Sequence, residues 1–255
     1  MILGIDVGNT NIVVGCIEED GFSHVVRLHT DRTETGEEYA IKFQQIFELN
    51  GVDCRGFEGA IISSVVPEIT EPLRQAVKKL AGVDPVVVGP GIKTGLNIRI
   101  DDPSSIGADL ITGSVGAVSQ YGAPVIVIDI GTATTITIVD KDNAFRGGAI
   151  IPGVKISYSA LASGTSLLPN ISITPPKKVI GSNTADCMRS GAVYGTASMI
   201  DGMLEKMQQE IGYECTVVAT GGMASSIVPC CRTEGIILDD DLLLKGLRVI
   251  YSKNR

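Results

Sequence analysis

No apolar stretch in this sequence approaches the roughly 20 residues that a membrane-spanning helix needs, and no segment is of low complexity. Association with a membrane is therefore not expected. Met1-Ile2-Leu3 leads straight into a strand-like run with no basic region before it, so no export signal is expected and a cytoplasmic location follows. A basic excess is also missing. The 21 Lys and Arg against 29 Asp and Glu give a formal charge of -8, which argues against broad nucleic-acid or membrane-surface binding. An anionic ligand would need a local nest or a metal ion. The six cysteines, Cys16, Cys54, Cys187, Cys215, Cys230 and Cys231, form no CxxC pair and have no histidine at a partner spacing. They read as reduced, buried thiols without a metal or redox role. His24 and His29 carry no motif and are assigned surface or capping roles.

The chain does have ample apolar material. With 44% hydrophobic and 20% charged residues over 255 positions, it can bury a core in each of two domains of ordinary size. An internal repeat places the boundary a little before residue 120, giving domains 1–117 and 118–255.

The repeat is carried by Asp6-Val7-Gly8-Asn9-Thr10-Asn11, set between Ile2-Leu3-Gly4-Ile5 and Ile12-Val13-Val14. Two apolar runs around an acid, a glycine and small polar residues read as strands joined by a tight turn. Gly8 lets the backbone approach a ligand closely, and successive turn N–H groups can form an anion-binding concavity. An acid beside such a nest would repel phosphate unless a cation lay between them. Asp6 therefore implies Mg2+ if the nest holds a nucleotide. The pattern returns as Ile128-Asp129-Ile130-Gly131-Thr132-Ala133-Thr134, with Val125-Ile126-Val127 leading in and Thr135-Ile136-Thr137-Ile138-Val139 leading out. Two such loops could grip a polyphosphate from both sides. Each alone is equally readable as an ordinary hairpin turn.

Between these loops strands alternate with helices, which makes an α/β domain. A strand is expected at 21–28, and a helix to residue 50 carries Tyr39, Phe43, Ile46 and Phe47 on one face. A buried strand at 59–63 leads into Ser64-Val65-Val66-Pro67, at the kind of strand end where open sheets bind ligands. Further helices are expected at 68–80, with Ile69, Leu73, Ala76, Val77 and Leu80 inward, and from Ser104 to Tyr121, with Gly107-Ala108-Asp109 in the first turns. Lys93 stands in a glycine-rich segment, either near a pocket or as a solvated lysine. A long helix at 183–212 carries Met188, Met199, Met203 and Met207, which suit core or helix-partner packing, and its small residues Gly191, Gly195 and Gly202 suit a subunit interface. Thr220-Gly221-Gly222-Met223-Ala224 is read as a glycine loop opening a helix, whose N-terminal N–H groups would suit a nucleotide. A last helix at 239–252 turns Leu242, Leu243, Leu247 and Ile250 inward.

With these motifs in place, the chain resembles the type III pantothenate kinases, of the superfamily of acetate kinases, sugar kinases, Hsp70 and actin. Asp6-Val7-Gly8-Asn9-Thr10 and Asp129-Ile130-Gly131-Thr132-Ala133-Thr134-Thr135 look like the family's two phosphate motifs. Gly147-Gly148-Ala149-Ile150-Ile151-Pro152-Gly153, Ala219-Thr220-Gly221-Gly222, Gly91-Ile92-Lys93-Thr94-Gly95 and Ile180-Gly181-Ser182-Asn183-Thr184 also match in order. The resemblance implies duplicated actin-like (ribonuclease H-like) domains with a nucleotide cleft between them, and ATP-dependent phosphorylation of pantothenate, the first step of coenzyme A synthesis. It implies that Asp6, Val7, Gly8, Asn9, Thr10, Asn11, Ile12 and Val13 bind ATP, with Asp6 on Mg2+. Thr132 would touch the phosphates, Gly221 and Gly222 would lie at the nucleotide, and Asp129 would hold a monovalent cation, K+ or NH4+. Gly107, Ala108, Asp109 and Leu110 would line the pantothenate pocket, with Asp109 as catalytic base. Thr184 would reach pantothenate from the neighbouring subunit of a homodimer.

Two positions depart from the family pattern: Leu110 stands where arginine is usual, and Ile100 where many members have tyrosine. Both lie on the acceptor side and both lose polar groups. A nucleotide-binding homologue with lost or altered acceptor specificity, and a phosphatase using water as acceptor, are the alternative readings.

Overall fold

A computed structural model describes residues 1–19 and 21–255 and divides the chain into two compact units, the first made of Met1–Leu96, Asp101–Ser119 and Asp241–Arg255. It opens with an antiparallel meander of β1 (Ile2–Val7), β2 (Asn11–Ile17) and β3 (Phe22–His29). Then come α1 (Gly36–Leu49), β4 (Gly59–Ser64), α2 (Pro67–Ala81) and β5 (Val86–Val87), and the sheet order is β3-β2-β1-β4-β5. β4 runs parallel to β1, and β5 parallel to β4.

Strand alternation decides which face each residue of β1 serves. Leu3, Ile5 and Val7 enter a buried cluster with Tyr39, Phe43 and Phe47 of α1 and Ile69, Leu73 and Val77 of α2. Full burial of each such side chain is worth about 2 kcal/mol. A capping box starts α1: Thr35 accepts from the Glu38 N–H, and the Glu38 carboxylate accepts from the Thr35 N–H at 2.7 Å. On the other face, Gly4 and Gly15 meet Leu244 of the C-terminal helix, numbered α8 below. Asp6 falls on that second face, clear of the aromatic core.

The second unit comprises Asn97–Ile100 and Gln120–Asp240. It contains β6 (Asn97–Ile98), and the chain crosses to it through α3 (Ala108–Tyr121). A second antiparallel meander follows, of β7 (Val125–Ile130), β8 (Ala133–Val139) and β9 (Ala144–Pro152). Next are α4 (Val154–Ser163), α5 (Thr184–Ser190), a π-helical turn (Gly191–Gly195) and α6 (Thr196–Ile211). β10 (Thr216–Thr220), α7 (Ala224–Ile227) and β11 (Ile237–Leu238) complete the unit, and α8 (Leu242–Asn254) belongs to the first. The sheet order is β11-β10-β7-β8-β9-β6. Ile126, Ile128, Ile130 and Ile136 pack against Ala192, Val193, Ala197, Ile200 and Leu204.

The two sheets share one design: a three-stranded meander whose first strand pairs in parallel with a later strand. Asp6 stands beside Ser63 of β4, and Asp129 beside Thr220 of β10. The fold is mixed α/β with the sheet motif duplicated.

Several expectations need correction. Pro103–Ser105 forms a separate short turn whose Asp102 carboxylate accepts from the Ser104 N–H, and α3 starts only at Ala108. Gly107 thus precedes the helix. The helix after Gly222 has four residues and passes into a tight turn at Val228–Cys230, too short for a helix-dipole argument about a nucleotide. In α8 the buried residues are Leu242, Leu244, Gly246, Leu247 and Ile250, because the helix starts at Leu242 and turns Leu243 partly outward. All six cysteines are free, but only Cys16 is fully buried and Cys187 is exposed. Burial pushes the Cys16 thiol up to about 11. No helix among the described residues is long and apolar enough to cross a membrane.

Candidate active site

The first loop is a tight turn in which the Gly8 N–H donates to the Asn11 carbonyl at 2.9 Å. Asn9, Thr10 and Asn11 are exposed, while Val7 and Ile12 are buried in the core. Val7 and Ile12 can therefore serve a ligand only through their backbone. Val13 is half-buried on β2, in register with Asp6. Beside Asp6, the buried Ser63 hydroxyl has no hydrogen-bond partner among the described residues. A buried hydroxyl left without a partner is costly, so this spot suits a polar ligand or the water shell of a cation.

Thr30 and Arg32 also belong to this loop, although no motif marks them. The Thr30 N–H donates to the Thr10 carbonyl at 3.0 Å, and its hydroxyl to the Gly8 carbonyl at 2.7 Å. Arg32 Nη2 donates to Asn9 Oδ1 at 2.7 Å. The available signal is strand pairing. β3 runs to His29, opposite Asn11, so the residues just past it fall beside the loop.

At the same end of the first sheet stands the start of α3. A methyl group on Gly107 would lie 3.7 Å from Val65 Cγ1, and the Val65 N–H donates to the Val7 carbonyl at 3.0 Å. The first turn of α3 therefore sits at the carboxyl ends of β1 and β4, the end that also carries Asp6 and its loop. Gly107, Ala108, Asp109 and Leu110 are all half-buried. Asp109 Oδ1 accepts from the Leu110 N–H at 2.8 Å. Burial raises the Asp109 pKa, and the Leu110 N–H and its own N–H only partly offset this. A side chain at position 107 would collide with this carboxylate, since a Cβ there would lie 2.5 Å from Oδ1. The result is a half-buried carboxylate with weakened hydration, held by the Leu110 N–H at the end of β1 and β4.

In the second unit, Asp129, Thr132, Gly221 and Gly222 gather at the end of β7 and β10. Gly221 has φ +95°, and a Cβ on it would lie 2.3 Å from Asp129 Oδ1. Only glycine combines that backbone angle with so close an approach. The Met223 N–H donates to the Ile130 carbonyl at 3.1 Å, which ties the glycine loop to the hairpin. Asp129 and Thr132 are half-buried and Gly222 is exposed. Thr184 stands elsewhere in this unit, exposed at the start of α5, where Asn183 accepts from the Asp186 N–H at 2.9 Å. Ile100 packs over Gly147 of β9, 3.6 Å from the position of a Cβ there. Lys93 is exposed, and its backbone is pinned by Asn254.

Among the described residues no three His, Cys, Asp or Glu side chains converge as a metal cage. The donor set fits a magnesium ion held by a single carboxylate and by the phosphates of a nucleotide, because Mg2+ keeps most of its waters and prefers oxygen ligands.

A sequence profile of the type III pantothenate kinase family matches residues 2–206. The chain is 45% identical over 254 residues to the type III pantothenate kinase of Halalkalibacterium halodurans, covering 100% of both chains. It is 44% identical over 255 residues, again covering 100% of both, to that of an Exiguobacterium species. In fold it is similar to a ROK family glucokinase from Streptomyces griseus, solved with glucose and AMPPNP, at a TM-score of 0.52, 14% identity and 98% coverage of each chain.

Proposed function

The chain belongs to the type III pantothenate kinase family, and from that premise we propose how its residues carry out the ATP-dependent phosphorylation of pantothenate that opens coenzyme A synthesis. The observation that carries this reading is that Asp109, with its raised pKa, stands at the same sheet end as Asp6 and its glycine turn. One end of one sheet thus supplies a base and a phosphate loop.

The N–H groups of the first loop, with the Asn9 and Thr10 side chains, bind ATP through its phosphates. Asp6 would hold Mg2+, which when bound would neutralise charge on the phosphates. Thr132 donates to the phosphates, and Gly221 and Gly222 give the nucleotide a flat approach. Asp129 would hold a monovalent cation, K+ or NH4+. Gly107, Ala108 and Leu110 line the pantothenate pocket. Asp109 takes the proton from the primary hydroxyl as that oxygen attacks the γ-phosphorus, and the bond from the γ-phosphorus to the bridging oxygen breaks to release ADP. Such a transfer is mostly alignment and charge stabilisation, and a positioned base adds roughly 10^2- to 10^4-fold.

The enzyme works in the cytoplasm as a homodimer, with Thr184 contacting pantothenate bound to the neighbouring subunit. The test is a mixing experiment. A Thr184→Ala chain and an Asp109→Asn chain, each nearly inactive alone, should regain up to about a quarter of wild-type activity when co-refolded, since shared sites pair the two defects at one site and leave the other intact. Complete inactivity of the mixed dimers would remove Thr184 from the partner's site.

A further inference from the structure

Asn9 lies exposed at the tip of the first loop, and its amide has two chemically opposite ends. Arg32 decides which end faces which way. Its Nη2 donates to Asn9 Oδ1 at 2.7 Å, while Nη1 lies 3.5 Å from Glu68 Oε1 at the start of α2. A guanidinium carries donors only, so turning the amide NH2 toward it would set donor against donor. The planar amide must therefore direct its two Nδ2 hydrogens away from Arg32. Two directed donors on an exposed loop of an acidic protein suit an anionic acceptor.

Arg32 is itself firmly placed. Two residues earlier, Thr30 donates to the Gly8 and Thr10 carbonyls on either side of Asn9. The buried Tyr39 hydroxyl donates to the Asp31 carbonyl at 2.6 Å, and the Asp31 carboxylate accepts from the Thr33 N–H and hydroxyl at 2.9 and 2.6 Å. Residues 30 and 32 thus hold three successive loop residues, two through their carbonyls and Asn9 through its side chain.

We propose that Arg32 is a positioning residue of the phosphate loop: it locks the Asn9 carboxamide so that Nδ2 donates to a phosphate oxygen of the bound nucleoside triphosphate. This rests on the reading of the first loop as a phosphate site. Arg32 acts through Asn9, and its own charge stands behind that donor. Lysine would keep the charge and donate from its ammonium but lose the planar fork that also reaches Glu68.

Calorimetric titration of the full chain with a non-hydrolysable ATP analogue and with adenosine tests the proposal. Arg32→Met should weaken the analogue about tenfold, in line with loss of one charge-assisted hydrogen bond, and change adenosine by less than about twofold. Arg32→Lys should recover part of the loss. In an Asn9→Ala background, Arg32→Met should add less than about twofold, because the two residues act as one unit. Full additivity, or an equal loss of analogue and adenosine, would overturn the proposal. If Asn9→Ala weakens the analogue while Arg32→Met does not, this inference falls and the loop remains a phosphate site. If Asn9→Ala has no effect, this inference falls; if wild type binds the analogue no more tightly than adenosine, the phosphate-site reading falls with it. A melting temperature within a few degrees of wild type in each variant shows that the half-exposed Arg32 is not acting through stability.

Discussion

Gly221 and Asp129 are in such close contact that a Cβ on the glycine would lie 2.3 Å from the aspartate Oδ1. The contact joins β10's glycine loop to the second hairpin, and Gly221 holds it at φ +95°. Gly221→Ala must therefore move either the carboxylate or the loop. The strained backbone alone costs about 1 to 2 kcal/mol. The expected outcome is a kcat/KM for ATP lowered at least about tenfold and a weakened response to K+, with KM for pantothenate little changed. Unchanged ATP kinetics would show that Asp129 and the glycine loop do not serve the nucleotide.

Asp109 offers opposite signs for activity and stability. Asp109→Asn removes the proposed proton acceptor, so turnover should fall at least about 100-fold while ATP affinity stays within about twofold. Burial raises its pKa in the folded chain. Stability linked to this group is therefore fully present below the unfolded carboxyl pKa and declines as pH rises through the folded value. At neutral pH the buried charge is a burden, and the asparagine variant should melt at a higher temperature than wild type. That gain should vanish in acid. A variant that is both inactive and less stable at neutral pH would point to a structural role.

The activity profile follows from the same shift. Only the ionised carboxylate can take the hydroxyl proton, so kcat/KM for pantothenate should fall as pH drops through the raised Asp109 pKa. The acid limb should therefore lie above the ordinary aspartate range. A flat profile through that range would remove Asp109 from the rate-determining proton transfer.

Asp201 is a buried carboxylate of the opposite kind. Burial raises its pKa, but the Arg232 N–H, the Thr233 hydroxyl and the Thr233 N–H together hold it below the ordinary value. It anchors the segment after Val228–Cys230 to α6. Asp201→Ala should cost about 3 kcal/mol in urea unfolding at neutral pH, since it strands buried donors. Stability tied to this group is present above the unfolded carboxyl pKa and is lost as pH falls through the lower folded value. The gap between wild type and variant should narrow accordingly in acid. A cost below about 0.5 kcal/mol would mean that water replaces the carboxylate.

Leu110 follows Asp109 in the first turn of α3, and its side chain offers the acceptor no polar group. Placing a guanidinium there should lower KM for pantothenate in Leu110→Arg without changing KM for ATP. An unaltered KM would assign the acceptor's polar contacts to another residue.

The two hairpin loops can be read in the sequence because their signals are local. An apolar run, an acid, a glycine and a second apolar run define Asp6 and Asp129 at the ends of β1 and β7. The spacing of Tyr39, Phe43 and Phe47 defines the buried face of α1. Features that depend on distant pairing are not readable in this way. The bond from Arg32 to Asn9 follows from β3 lying beside β2, and the return of α8 to the first sheet leaves only an amphipathic pattern with no address. The late start of α3 was hidden for a different reason. Asp102 caps its own short turn, so Ser104 imitates a helix start that belongs to another element.

The central claim is that this chain transfers the γ-phosphoryl group of ATP to pantothenate. ADP release measured with ATP, Mg2+ and K+, in the presence and absence of pantothenate, tests it most directly. The account predicts release only when pantothenate is present, with one phosphorylated pantothenate formed per ADP. Release at the same rate without pantothenate, or ATP binding with no release under either condition, would contradict it.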